Sequence, residues 1–440
     1  MSTSHHSWDS PRTRRSLLRQ AGAAGATLAG SSLLAACGGG GGGTSGGGGH
    51  ATIEFWDMQW GTDRYEQTAR SLVAAYEKAN PNVTVRYRLI PWTSFYETFS
   101  TAVASGTTPD VSTGAAFQGF QYDQAIASVD SAVARWKTDG TADDVIQAAV
   151  DAQVDDRGKQ TGLPWCMDAR PLSYNRRLFD AAGIKPPTTW DELRDAAREL
   201  TGSGRYGIGF CGQGALAAQQ LIALMFNNDG GLYDQSCGPD LINDRNAEVC
   251  EFVQQLVRDG SIPKAGVGWT NTDIANAMGR GEIAMVFGEP AMFNTLPNGD
   301  DIDIASPLTG PHGDRGAALW YVAMWMYESA KDKPATLDFM SWWLANEQPI
   351  WSRGGATQLP VRRSFYRTVP NLQDPRYQKV LDEWVPIGRT LGSPCPHSSA
   401  VLNQVEGQAF LPTLAQEVLS LKPVEPALKT ANDALGALKA

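Results

Sequence analysis

Residues 51–90 read ATIEFWDMQWGTDRYEQTARSLVAAYEKANPNVTVRYRLI, and this stretch decides the fold class. Thr52 to Trp56 alternates and is rich in strand formers. Tyr65, Ala69, Leu72, Val73 and Tyr76 recur at spacings that place them on one helical face. Asn80-Pro81 stops that helix. Val83, Val85, Tyr87 and Leu89 then alternate as a second strand. Strand, helix and strand at this spacing make a βαβ unit, which calls for a parallel sheet covered by helices.

The pattern recurs downstream. Thr189-Trp190-Asp191-Glu192 has the form of a capping box, and Leu193, Ala196, Ala197 and Leu200 form the face of the helix it opens. Tyr206 to Phe210 reads as the next strand. Gly202 to Gly207 matches the spacing G-x-G-x-x-G, but that fingerprint must follow a strand and open a helix. Here it follows a helix and opens a strand, so it reads as a turn. Ile283–Phe287 and Ala317–Met326 are nearly unbroken apolar runs, as expected of strands buried on both faces. Pro334 starts a helix with Leu337, Met340, Trp343 and Leu344 on one side. No internal repeat is present.

Upstream of residue 51 the chain changes character. A basic stretch, Pro11 to Arg19, precedes an uncharged small-residue run, Ala21 to Ala36. That run is too short and too rich in Gly and Ala to span a bilayer, which takes ~20 apolar residues. Its form is that of a secretory signal, and Thr13 to Leu18 resembles the twin-arginine type. Leu34-Ala35-Ala36-Cys37 resembles a bacterial lipobox, in which cleavage before the cysteine exposes it for lipid attachment. Residues 1–36 are therefore expected to be a signal peptide and Cys37 a lipid anchor. Residues 37–50 form a glycine-rich tether, a flexible coil by composition. Gly43 to Gly47 matches the nucleophile motif G-x-S-x-G, but a glycine tract offers no strand-turn-helix to present it.

The remaining roughly 400 residues exceed one ordinary core and point to two domains. The net charge of −10, without a dense Lys/Arg run, argues against a nucleic-acid partner. Five cysteines follow Cys37, an odd number. Cys237 and Cys250, close in sequence around a turn-rich stretch, are the first expected disulfide. No C-x-x-C or H-E-x-x-H occurs, so neither a metal nor another cofactor is expected.

Several stretches occur in a telling order. They are Gly106-Thr107-Thr108-Pro109-Asp110-Val111; Gly162-Leu163-Pro164; Leu172 to Phe179; Ala182-Gly183-Ile184; Pro187 to Leu193; Gly281 to Met285; and Gly354 to Pro360. Together they resemble the extracellular solute-binding proteins of ABC importers, in the sugar-binding group that includes maltose-binding protein. The resemblance implies a two-lobe α/β periplasmic-binding-protein-like fold (type II), with a ligand cleft between the lobes and hinge closure. It divides the chain into 51–168 plus 305–351 as lobe 1 and 171–304 plus 352–440 as lobe 2. It also implies a monomer held by lipid at the outer face of the cytoplasmic membrane, with an ABC permease as partner.

A sugar offers hydroxyls at its rim and C–H groups on its faces, so its cleft should combine acids and amides with flat aromatic rings. Trp56, Asp57 and Trp60 stand at the carboxyl end of the first strand, where open α/β sheets bind ligands. The resemblance adds Phe117 and Gln118 after the Pro109-Asp110-Val111 strand. It also adds Trp165 and Asp168 at the first crossing, with Asp168 as the sugar-binding carboxylate; an ion pair with Arg170 is the competing role. Glu289 follows Gly288 in a loop where relatives carry a stacking ring, which Trp269 or Trp320 could supply here. Gln213, Asn228, Arg353 and His397 complete the set, each more simply read as a solvated loop residue. Two rivals remain. A tethered glycosidase would need two carboxylates ~5–9 Å apart. A transport protein could instead take a polyamine or glycerol phosphate, although phosphate prefers cations and helix N-termini to acids.

Overall fold

The computed structural model describes residues 50–61, 63–115, 123–155, 157–395 and 401–438. Cys37, Phe117, Gln118 and His397 lie outside the described residues. Gly49–Ala440 is one compact unit built on two sheets.

The opening βαβ unit is present. β1 (Ala51–Met58) pairs in parallel with β2 (Val83–Ile90), in register from Ala51↔Val83 to Met58↔Ile90. Between them runs α1 (Asp63–Ala79), with Tyr65, Ala69, Leu72, Val73 and Tyr76 all buried. α2 (Phe95–Ser105) ends at Gly106, whose φ of 68° lets its N–H reach the carbonyls of Ala102 and Val103. β3 (Val111–Ala115) returns parallel to β1.

β4 (Leu163–Ala169) belongs to this first sheet, and β5 (Leu172–Asn175) to the second. Arg170-Pro171 alone carries the chain across. The second sheet has the order β6-β7-β5-β8, from β6 (Tyr206–Gly209), β7 (Ile283–Phe287) and β8 (Ile302–Ile304). Among its helices are α3 (Trp190–Glu199), α4 (Gly214–Asn227), α5 (Asp244–Arg258) and α6 (Asn271–Gly279). The α3 cap is a variant of the expected box: Thr189 accepts from the Glu192 N–H, but Glu192 reaches back to Thr188. Gly202–Gly207 is a turn, with Gly202 and Arg205 exchanging backbone hydrogen bonds. Gly207 is required for packing, because a Cβ there would stand 1.9 Å from the Ala197 carbonyl oxygen.

The chain re-enters the first sheet at β9 (Ala317–Met326), antiparallel to both β3 and β4. α7 (Lys333–Asn346) follows and buries Phe339, Met340, Trp343 and Leu344. β10 (Leu359–Pro360) pairs with β4, and β11 (Gly388–Arg389) with β9. The expectation that lobe 2 resumes at residue 352 is therefore corrected: residues 359–360 and 388–389 still hydrogen-bond in the first sheet. α8 (Val401–Gly407) touches α2, whereas α9 (Phe410–Leu419) packs on α4 and α5, and α10 (Val424–Gly436) on α9.

The disulfide expectation is also corrected. Cys237 bonds to Cys395, not to Cys250. Cys250 points into the core from α5 and is fully buried, while Cys237 lies on an exposed turn. Cys166, Cys211 and Cys250 are free and buried.

Candidate functional site

The crossing strand places a polar hub where the two sheets meet. Asp168, near the end of β4, accepts a hydrogen bond from Arg170 Nη1 at 2.7 Å. The same nitrogen donates to the Ala169 carbonyl, also at 2.7 Å. Arg170 Nε and Nη2 both donate to Gln219 Oε1 on α4, at 2.9 and 2.7 Å. The guanidinium lies 5.0 Å from the ring centre of Trp320 on β9. Trp320 Nε1 in turn donates to Glu406 Oε1 on α8 at 2.6 Å. Four segments, distant in sequence, thus converge on one buried cation.

Charge at the hub is biased toward acceptors. Burial by itself would lower the Arg170 pKa, but Asp168, Glu289 and Glu406 outweigh it and raise it overall. Burial pushes Glu406 from 4.5 up to about 7, against the opposing pull of the Trp320 N–H and Arg170. Glu289 is half-buried and accepts from Asn271 Nδ2 at 3.2 Å. Its neighbour Gly288 donates its N–H to the Pro171 carbonyl, which ties this loop to the crossing.

Aromatic rings form the second half of the candidate site. Trp165 is buried and meets Trp60 with centroids 5.5 Å apart; Trp60 meets Trp92 at 4.8 Å, and Trp92 meets Phe95 at 5.6 Å. Phe95 leads to Tyr96, whose ring packs on Gly407 of α8 so closely that a Cβ there would come within 2.5 Å. Trp92 is 37% exposed, yet it is fixed in place by donating from Nε1 to the Gln59 carbonyl at 2.7 Å. α8 therefore borders both halves: Glu406 belongs to the polar hub and Gly407 to the aromatic row.

Other expected residues are placed elsewhere. Asp57 is fully buried and accepts from the hydroxyls of Tyr65 (2.9 Å), Tyr87 (3.0 Å) and Thr113 (2.6 Å). It organises the core beneath the strand ends, and burial raises its pKa from 3.8 to about 6. Trp56 packs between Phe99 and the Arg88 guanidinium. Asn228 is buried and donates to the Arg245 carbonyl and to Glu248. Gln213, exposed before α4, meets Trp269 through a backbone hydrogen bond, and Arg353 is exposed after the helix at 348–352. The hub unites Asp168 with Trp320 and, through the field at Arg170, with Glu289. Sequence reasoning gave no role to Gln219, Glu406 or Trp92 and treated Arg170 only as a possible partner of Asp168. Among the described residues no cluster of His, Cys, Asp and Glu suits a metal ion, and no helix is long and apolar enough to cross a membrane.

A family model, bacterial extracellular solute-binding protein, matches residues 61–348. The chain belongs to this family. The structure of a sugar transporter from Arthrobacter chlorophenolicus A6, with bound laminaribiose, is 32% identical at a TM-score of 0.81. That match covers 88% of this chain and all of the other. A putative binding protein of Brucella abortus (strain 2308) is 27% identical over 281 residues, or 60% of this chain and 66% of the relative. An erythritol/L-threitol-binding protein of Mycolicibacterium smegmatis is 26% identical over 227 residues, or 48% of this chain and 47% of its own length. These two curated relatives are thus matched over about half to two thirds of their own length. The two-lobe α/β fold of periplasmic binding proteins accounts for the two sheets.

Proposed function

We propose that the protein is the lipid-anchored, extracytoplasmic solute receptor of an ABC importer, and that its solute is a carbohydrate held between the two sheets and delivered to the permease. One observation carries this reading: a half-buried set of acids and an amide around the buried Arg170 guanidinium stands beside a row of fixed aromatic rings, and both border α8. Hydroxyls need charged or amide partners when they are desolvated, and sugar faces need flat apolar rings. The laminaribiose-bound relative, similar over nearly its whole length, supports a small oligosaccharide as ligand. The signal-like segment, Cys37 and the glycine tether support a body anchored at the outer face of the membrane. Solute is bound unchanged, with the acids acting as acceptors and not as catalysts.

The erythritol/L-threitol-binding relative favours a second reading, an acyclic polyol. Such a ligand would use the hub but has no ring face for Trp92. Thermal unfolding against laminaribiose, maltose, monosaccharides, erythritol, glycerol phosphate and a polyamine separates these cases. A ligand at ~100 times its dissociation constant adds ~2.7 kcal/mol. A shift with a saccharide recovered intact supports the proposal. A shift with polyol, polyamine or phosphate alone contradicts the sugar assignment, and cleavage of the saccharide contradicts the receptor role.

A further inference from the structure

We propose that Gln358 binds the solute, and that its amide works with Asp168 on two adjacent hydroxyls of a pyranose ring; this rests on the carbohydrate reading above. The register of the first sheet brings the two residues together. β10 pairs with β4 as Leu359↔Met167 and Pro360↔Cys166, antiparallel, and Val361 donates its N–H to the Trp165 carbonyl at 3.1 Å. Continued by one residue, this register sets Gln358 opposite Asp168. On the other side of β4, Asp168 stands opposite Trp320. Opposed residues of an antiparallel pair share one face of the sheet, so Trp320, Asp168 and Gln358 form a row across three strands. The bond from Val361 to Trp165 makes 358 and 168 a non-hydrogen-bonded pair, the kind whose Cα atoms lie only ~4.5 Å apart.

Both side chains keep hydrogen-bonding capacity that the protein leaves unused. Asp168 takes its bonds on Oδ1, from Arg170 Nη1 at 2.7 Å and from the Ala169 N–H at 3.0 Å. Among the described residues nothing donates to Oδ2, and 13% of the side chain stays exposed. Gln358 is only 6% exposed. Its Nε2 meets Thr357 Oγ1 at 3.1 Å, and its Oε1 is buried with no partner among the described residues. The Thr357 hydroxyl can donate as well as accept, so one end of the amide is unmet whichever way it is turned. A buried polar atom without a partner costs stability and calls for a reason. The segment itself is pinned: Trp351 Nε1 donates to the Gln358 carbonyl at 2.9 Å, and the Thr357 N–H to the Trp60 carbonyl at 3.4 Å. The Thr357 carbonyl also accepts from the Ala291 N–H at 3.2 Å, two residues beyond Glu289. Gln358 thus stands among the polar hub, the aromatic row and the Glu289 loop. A hydroxyl both donates and accepts, so a vicinal diol satisfies either end of the amide and Asp168 Oδ2 together. An ammonium group only donates and suits one turn of the amide alone. Hinge opening parts Thr357 from Ala291 and admits the solute.

The test is calorimetric titration of laminaribiose and its monodeoxy analogues into the protein and its Gln358→Met and Gln358→Leu variants, with denaturant unfolding of each without ligand. Laminaribiose affinity should fall about 10- to 100-fold in both variants. The analogue lacking the hydroxyl held by Gln358 should bind the protein about tenfold more weakly than laminaribiose does, yet bind each variant equally well. The analogue lacking the neighbouring hydroxyl should stay about tenfold weaker in protein and variants alike, through Asp168. The unfolding midpoint should not fall, because an apolar side chain of like size replaces an unmet amide. Unchanged laminaribiose affinity, an equal loss for every analogue in protein and variants, or lowered midpoints or failure to fold in both variants overturns the assignment. If the protein itself binds no saccharide, the carbohydrate reading falls and takes this assignment with it. That outcome is distinct from saccharide binding to which Gln358 is indifferent.

Discussion

Asp57 and Asp168 both stand near the carboxyl end of a strand in the same sheet, and they have opposite fates. Asp57 meets three hydroxyl donors, one each from α1, β2 and β3, and is sealed in the core. Asp168 meets a guanidinium that is already shared with Gln219, faces Trp320 and lies within the field of Glu406 and Glu289. Hydroxyls on fixed elements close around a carboxylate. One cation among several acceptors leaves spare acceptor capacity, which a solute rich in hydroxyls can use. On the proposed function, the position of an acid at a strand end does not decide between structure and binding; the chemistry of its partners does.

The largest effect that can break this comparison is expected at Arg170. Arg170→Ala strands Asp168 and Gln219 and should cost ~3–5 kcal/mol of stability and remove laminaribiose binding. Retained binding in a folded variant would dissolve the hub as a site. Asp57 should respond to pH without affecting affinity. Its folded pKa of about 6 exceeds the ordinary 3.8, so the folded state holds the extra proton between these values. Its own contribution to stability should be fullest below pH ~4 and fall by roughly 3 kcal/mol as pH rises through 6. Asp57→Asn should flatten that slope, as read by denaturant titration at pH 4 to 7, and leave binding intact.

Two smaller effects sharpen the contrast. Glu406 titrates near pH 7, and its ionised form is the one able to accept two hydroxyls. Affinity should thus drop on the order of tenfold from pH 7.5 to 6, in proportion to the ionised fraction. Glu406→Gln should bind more weakly and lose the pH dependence, as measured by titration calorimetry. Trp92→Ala should cost ~1–1.5 kcal/mol of binding, the scale of a face contact with an aromatic ring. Trp92→Phe should recover part of it, and a polyol should be indifferent to both.

Much of this was legible in the chain. The βαβ unit followed from the spacing of Tyr65 to Tyr76, because a helix that covers a sheet must keep one apolar face. The resemblance carried by the ordered motifs put Asp168 at the first crossing, and β4 and β5 on either side of Arg170-Pro171 do lie in different sheets. Glu406 was not legible, because it comes 238 residues after Asp168 and joins the hub only through folding. The fate of Asp57 depended on hydroxyls at 65, 87 and 113, whose convergence no local pattern reveals. Cys237 and Cys250 misled through nearness in sequence, since the helical face of Cys250 turns it inward.

The most direct measurement is titration calorimetry of laminaribiose into the protein, its Asp168→Ala variant and its Asp57→Asn variant, side by side at pH 7.5. The account predicts saturable binding by the protein and by Asp57→Asn, with a loss of about 100-fold or more in Asp168→Ala, equivalent to ~2.7 kcal/mol. Equal binding by all three, or a loss confined to Asp57→Asn, would contradict it.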